Sequence, residues 1–176
     1  MTFFLCGCII INDRISLNFK LFVRKGFSVE LRERYNAFFV KCFNNILKKE
    51  KEMLCRIDKT LSLSEIHVIE AICNAGENNT SKNVAENLRV SPGTLTTAVN
   101  TLVHKGYVYK EKDAADKRVS RLSLTGKGLE ANALHARFHA AMIDSILKSS
   151  EEKEAEVLIA ALEKIQVFLG DFDFEG

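Results

Sequence analysis

The sequence predicts a mainly α-helical fold with one small β-hairpin, and three observations carry that expectation. The 176 residues contain one proline, no tryptophan and nine glycines, too few turn formers for a β-sandwich. Long segments toward both ends repeat apolar residues every three or four positions, the period of an amphipathic helix. Between them lie two short helical segments, then two strand-like runs around a charged turn. Apolar residues make up 47% and charged residues 27%, which excludes a disordered chain. A chain of this length hides roughly two thirds of its unfolded surface, enough for a real core.

The first eleven residues, MTFFLCGCIII, are almost wholly apolar. No basic residue precedes the run, as a secretory signal requires, and it is too short to span a bilayer. Leu5-Cys6-Gly7-Cys8 only loosely resembles a lipoprotein cleavage site. The preferred reading is a start of translation downstream, at Val29 or a nearby codon, with residues 1–28 as an extra arm.

Residues 29–57 read as one helix. Leu31, Tyr35, Phe38, Phe39, Cys42, Phe43, Ile46 and Leu47 form its stripe, and a helix this long and aromatic needs a partner to cover it. Residues 58–128 read as a DNA-binding domain. Ser62 or Ser64 opens a helix carrying Ile66, Ile69, Ile72 and Cys73, and Thr80 caps a short one through Val84, Ala85 and Leu88. Ser91 caps the next, with the single proline, Pro92, at the first helical position, where its missing N–H costs nothing. Leu95, Ala98, Val99, Leu102 and Val103 share one side of that helix, and Gly106 stops it.

Tyr107–Lys112 and Val119–Leu124 then form a hairpin with a charged tip. Thr125-Gly126 leads into the segment 129–172, where a long helix runs through Leu134, Phe138 and Met142. Ser149 or Ser150 caps a last, acidic helix striped by Val157, Leu158, Leu162 and Phe168.

Helix, turn, helix and basic hairpin are the plan of a winged helix-turn-helix. A helix enters a major groove with short polar side chains that reach base edges. Here the outward face carries Thr94, Thr97, Asn100 and Thr101, with Thr96 at its edge and Ser91 at its start. Asn pairs bidentately with adenine, and a threonine methyl packs on a thymine methyl. Lys110, Lys112, Lys117, Arg118, Arg121 and Lys127 make a basic strip on or beside the wing. An arginine at its tip suits a narrow minor groove, and Asp116 can hold that guanidinium in one direction.

Charge is distributed to match. Residues 81–128 carry nine Lys/Arg against four Asp/Glu, whereas residues 129–176 carry four against ten. Five cysteines without a C-x-x-C pair argue against a disulfide framework and for a reducing cytoplasm. No glycine-rich phosphate loop, H-E-x-x-H or nucleophile elbow supports an enzyme. A winged helix that binds only protein would not need the basic tip.

Asp116-Lys117-Arg118 followed by Leu124-Thr125-Gly126-Lys127-Gly128, after a helix pair, resembles the MarR-type winged-helix regulators of bacteria. The resemblance covers about residues 29–172. In the last motif the glycine looks displaced or doubled. It implies a symmetric dimer joined by the first and last helices, each half reading half of a pseudo-palindrome.

Glu65-Ile66-His67, Gly93 to Thr97, Lys105-Gly106-Tyr107 and Leu134 to His139 resemble the FabT branch. That branch represses type II fatty-acid-synthesis genes with long-chain acyl groups on acyl carrier protein as corepressor. Lys117 stands where the branch usually has an arginine. By this resemblance Phe38, Phe39 and Phe43 line an acyl cleft, with ordinary dimer core as the alternative. Arg34, Lys41 or Lys48 would dock the acidic carrier.

No cofactor or metal is expected on the fatty-acid reading. The alternative is zinc. His135 and His139 lie four apart on one helix face, where both can reach one ion. The zinc-sensing branch of the family has three histidines at similar places, here His67, His135 and His139. Glu50, Glu52 or Cys55 would be the fourth ligand. An oxidation sensor is a third option, against which Cys42 sits on an apolar stripe.

Overall fold

The computed structural model describes residues 28–171. The arm expected over residues 1–28 thus lies outside the described residues, apart from Ser28. Among the described residues there are six α-helices, one 3-10 turn and one two-stranded sheet. The helices are α1 (Val29–Ile57), α2 (Leu63–Ala75), α3 (Ser81–Asn87), α4 (Pro92–His104), α5 (Gly126–Lys148) and α6 (Glu152–Asp171). Strands β1 (Val108–Lys112) and β2 (Ser120–Leu124) pair antiparallel, with Val108 opposite Leu124 and Lys112 opposite Ser120. No helix among the described residues is long and apolar enough to cross a membrane.

The chain divides into two compact units, Met1–Ile46 and Leu47–Gly176. In the first unit, α1 keeps its aromatic stripe, and much of that stripe is exposed. Tyr35 is 59% exposed, Phe38 61% and Phe43 54%. Phe39 stacks between Tyr35 and Phe43, with ring centroids 6.4 and 6.0 Å away.

The second unit holds the core. From the end of α1, Leu54 is buried with Ile66 and Ile69 of α2, Val84 of α3, Leu95 of α4 and Leu122 of β2. On α4, Leu95, Val99 and Leu102 are buried, at roughly 1.5–3 kcal/mol each for the transfer from water. Their burial fixes the rotation of α4 and therefore which of its residues face outward. Val103, expected on the apolar side, is 40% exposed because it lies at the margin of that stripe.

Three of the expected helix starts hold. Thr80 accepts from the Asn83 N–H, Ser91 from Thr94 and Thr125 from Gly128. Of the two candidates for α2, Ser62 is the cap, because Glu65 completes a capping box with it. The serines expected to open α6 do not. Ser149 and Ser150 donate their hydroxyls back to carbonyls of α5, and the Glu151 carbonyl starts α6 by accepting from Ala155. Serine hydroxyls compete for nearby carbonyls as readily as they cap, which is why a Ser-Ser pair between two helices is ambiguous in sequence.

Both helices of the helix-turn-helix end in the same way. Val90 N–H bonds Ala85 O and Arg89 N–H bonds Glu86 O, with Arg89 at φ 52. Tyr107 N–H bonds Leu102 O and Gly106 N–H bonds Val103 O, with Gly106 at φ 76. Each is a paired C-terminal closure that needs one left-handed residue. Glycine meets that need cheaply after α4, whereas Arg89 accepts the steric cost after α3.

Candidate nucleic-acid interface and histidine cluster

Helix α4 presents Thr94, Thr96, Thr97, Asn100 and Thr101 to solvent, and Ser91 at its N-cap is exposed too. The threonines are not loose. Thr96 donates to Pro92 O at 2.7 Å, Thr97 to Gly93 O at 3.1 Å and Thr101 to Thr97 O at 3.1 Å. These bonds set the side-chain rotamers and leave each oxygen's lone pairs and methyl group for a base edge. Asn100 Oδ1 lies 3.5 Å from Lys110 Nζ at the base of the wing, at the limit of a hydrogen bond.

At the wing tip Arg118 is 92% exposed and held by Asp116. Its Nε donates to Oδ1 at 3.2 Å and its Nη2 to Oδ2 at 3.3 Å, while Asp116 Oδ1 also accepts the Arg118 backbone N–H at 2.9 Å. Those bonds hold the Asp116 carboxyl below its usual range. Lys117 beside it is exposed. The carboxylate thus aims the guanidinium, as the sequence suggests.

Two members of the expected basic strip are occupied elsewhere. Arg121 bonds Asp113 through Nε and reaches Glu77 O at 3.0 Å and Asn79 Oδ1 at 3.1 Å through Nη1. Lys127 sits 4.0 Å from the Tyr107 ring centroid and donates to Asp58 Oδ2 at 3.2 Å. Charge counting along the chain cannot distinguish a cation aimed at solvent from one spent on the scaffold.

Sequence reasoning missed the polar fastening beneath α4. Lys105 follows the last residue of α4, and its ammonium meets both oxygens of Glu65, at 2.7 and 2.8 Å. Burial opposes ionisation of Glu65, but bonds from Lys105 and Ser62 outweigh it and hold the carboxyl below its usual value. Beside it, Asp58 accepts from Thr60 through N–H and hydroxyl, from the Tyr107 hydroxyl at 2.9 Å and from Lys127. The Thr60 bonds are the main reason its carboxyl is strongly depressed. The S-x-x-E spacing of Ser62 and Glu65 was the available signal for one member of this set.

The repeated glycine of the Leu-Thr-x-x-Gly motif also resolves. A Cβ at Gly128 would meet Tyr107 O at 2.3 Å, whereas one at Gly126 would meet nothing within 4 Å. Gly128 is the position that lets α5 lie against the start of β1.

The histidine cluster occupies the second unit, where α1, α2 and α5 meet. His135 is fully buried and Glu50 is 3% exposed. Glu50 Oε1 lies 3.2 Å from His139 Nε2, 3.5 Å from His135 Nε2 and 3.9 Å from His67 Nε2. The two Nε2 atoms of His135 and His139 are 3.0 Å apart. Of the three suggested companions, Glu50 joins the set. Glu52 instead pairs with Lys49, and Cys55 is exposed. Burial pushes the His135 pKa down, although Glu70 pulls the other way.

Phe38 borders an open hollow with Leu31, Arg34, Tyr35 and Ala37, while Phe39 and Phe43 stack beside it on the same helix.

A helix presenting short polar side chains, packed beside a wing that projects an arginine, defines a winged-helix DNA-binding protein. The MarR family model matches residues 61–120. Streptococcus pneumoniae FabT, in a crystal structure with DNA, is 34% identical, with a TM-score of 0.71 over 81% of this chain and 99% of that one. Staphylococcus aureus MepR in its DNA complex shares the fold at 20% identity, with a TM-score of 0.64 over 77% of this chain and 96% of that one. Comparison with curated proteins gave no match. The chain belongs to the MarR family of DNA-binding transcriptional regulators.

Proposed function

We propose that this regulator is a cytoplasmic homodimer that represses genes of type II fatty-acid synthesis, with a long-chain acyl group on acyl carrier protein as corepressor. The likeness to FabT over nearly the whole of that chain carries the reading. Thr94, Thr96, Thr97 and Asn100, with Ser91 at the helix start, read the major groove of a pseudo-palindromic half-site. Arg118, aimed by Asp116 and flanked by Lys117, enters the minor groove.

A second copy of the chain covers the exposed apolar faces. On α1 these include Tyr35, Phe38 and Phe43; on α6 they include Val157, Leu162 and Phe168. Phe38, Phe39 and Phe43 contact the acyl chain, and Arg34, Lys41 or Lys48 the acidic carrier. The test is a titration of the protein with DNA from upstream of its own gene, with and without long-chain acyl carrier protein. Tighter binding with the acylated carrier supports the reading, and no response sinks it.

The histidine cluster favours a second reading, a zinc-responsive repressor. Zinc binds nitrogen and carboxylate ligands at about 2.0–2.2 Å, so tetrahedral ligands stand about 3.3 Å apart. The separations of 3.0, 3.2 and 3.5 Å among His135, His139 and Glu50 fit that spacing. His135 Nδ1, buried and without a hydrogen-bond partner, faces Glu70 Oε2 at 3.8 Å, the kind of outer carboxylate that orients a ligand histidine. Glu50, His135 and His139 would hold the ion, with His67 beside them, and the ion would tie α1, α2 and α5 together. The same titration with zinc or a chelator decides: control by zinc but not by acyl carrier selects this reading.

A further inference from the structure

We infer that Asp113 and Arg121 are positioning residues of the wing: they lock its tip to the scaffold so that Arg118 is presented in one place, and they do not themselves touch DNA. The inference rests on the reading of Arg118 as the minor-groove contact. Arg121 lies on β2, opposite Glu111 of β1. Its fork joins the wing to the 3-10 turn that follows α2, bonding Glu77 O and Asn79 Oδ1 with Nη1 while Nε goes to Asp113. The backbone supports the same junction, through an isolated bridge between Thr80 and Arg121 and a 2.9 Å bond from Leu122 N–H to Asn79 O.

Asp113 links that anchor to the tip. One oxygen takes the Arg121 guanidinium. The other accepts the Ala115 and Asp116 N–H groups at 2.8 and 3.0 Å, fixing the turn. With the Arg121 bond as the main cause, the Asp113 carboxyl is pulled down to about 2, so it stays ionised at any pH where the protein works. The fixed turn places Asp116, and Asp116 aims Arg118. A chain of hydrogen bonds, two of them between opposite charges, therefore runs from the turn after α2 to the exposed guanidinium. A two-stranded ribbon is only marginally stable by itself, so the strut adds to the backbone bonds at its base in steadying the tip.

The two roles differ in their salt dependence. A residue that neutralises a phosphate contributes about 0.9 to the slope of log affinity against log salt, whereas a positioning residue contributes nothing. The experiment titrates the full-length protein with a duplex from upstream of its own gene over a range of salt, alongside thermal melting of each variant. Arg118→Ala is the reference and should lower the slope by about one.

Arg121→Gln and Asp113→Asn should each weaken binding on the order of 5- to 20-fold without changing the slope. The double variant should be no weaker than either alone, since both break one link. Asp113→Asn keeps an oxygen for the turn and loses only the ion pair. Arg121→Lys, which keeps the charge without the fork, should not restore affinity. A slope lowered by about one in Arg121→Gln, with Asp113→Asn unaffected, would make Arg121 a direct contact and overturn the inference. Unchanged affinity in both variants, while Arg118→Ala weakens binding, overturns it as well. If Arg118→Ala has no effect either, the minor-groove reading itself fails.

Discussion

The ammonium of Lys105 lies 2.7 and 2.8 Å from the two carboxylate oxygens of Glu65, joining the end of α4 to the start of α2. Glu65 also bonds the Ser62 N–H at 2.7 Å in its capping box, so one carboxylate serves two helices. Their side chains are 24% and 9% exposed, too enclosed for water to replace the pair fully. Lys105→Met leaves Glu65 partly buried without its cation. The expected cost is about 1–3 kcal/mol of folding stability, measured by urea unfolding. Glu65→Gln with Lys105→Met together should cost less than the sum of the two single changes.

Asp58 gives a pH dependence with a definite sign. Its carboxyl is depressed in the folded protein, chiefly by the two Thr60 bonds, then by Tyr107 and Lys127. Fewer protons are bound folded than unfolded, so its stabilisation is complete above the unfolded value of about 3.9 and is lost as pH falls below it. Urea midpoints should therefore drop more steeply below pH ~4 in the wild type than in Asp58→Asn. Between pH ~5 and 8 the gap between the two proteins should stay constant.

Gly128 and Gly126 offer a paired steric test. Ala at 128 drives a Cβ into the Tyr107 carbonyl, which belongs to backbone and cannot rotate away. Gly128→Ala should destabilise by about 1–3 kcal/mol through local displacement of α5 from β1. Gly126→Ala meets open space and should change stability by less than about 0.5 kcal/mol. Equal effects in thermal melts would contradict this account of the motif.

Asn100→Ala tests base reading by α4. The side chain stands on the exposed face set by buried Leu95, Val99 and Leu102. Its loss should cost roughly 1–3 kcal/mol at one position of the binding site and relax preference there. Competition binding against single-base variants checks this. Equal weakening on every sequence would mean that Asn100 touches only the backbone of the DNA.

How much was legible in the sequence varied with the range of the interaction. Ser91-Pro92, Thr80 and Thr125 announce helix starts because capping is a local bond between residues three apart. Leu95, Val99 and Leu102 announce the buried side of α4, and hence Thr94, Thr97 and Asn100 as its outward face. Asp116 and Arg118 are two residues apart, so their pairing was also visible. Ser149 and Ser150 misled because two local options, capping α6 or bonding back to α5, compete at similar energy.

The sequence by itself determined the helical class, the helix-turn-helix with its basic wing, and the aromatic stripe on α1. Each follows from periodicity or from bonds within a few residues. Tertiary structure decided which charges are committed. Arg121 turns to Asp113, Glu77 and Asn79, Lys105 to Glu65 forty residues away, and Lys127 to Asp58. It also chose Glu50 over Glu52 and Cys55 as the carboxylate beside His135 and His139. Such pairings depend on how α1, α2 and α5 are stacked, and that stacking is set by the buried apolar faces, not by the charged residues it brings together.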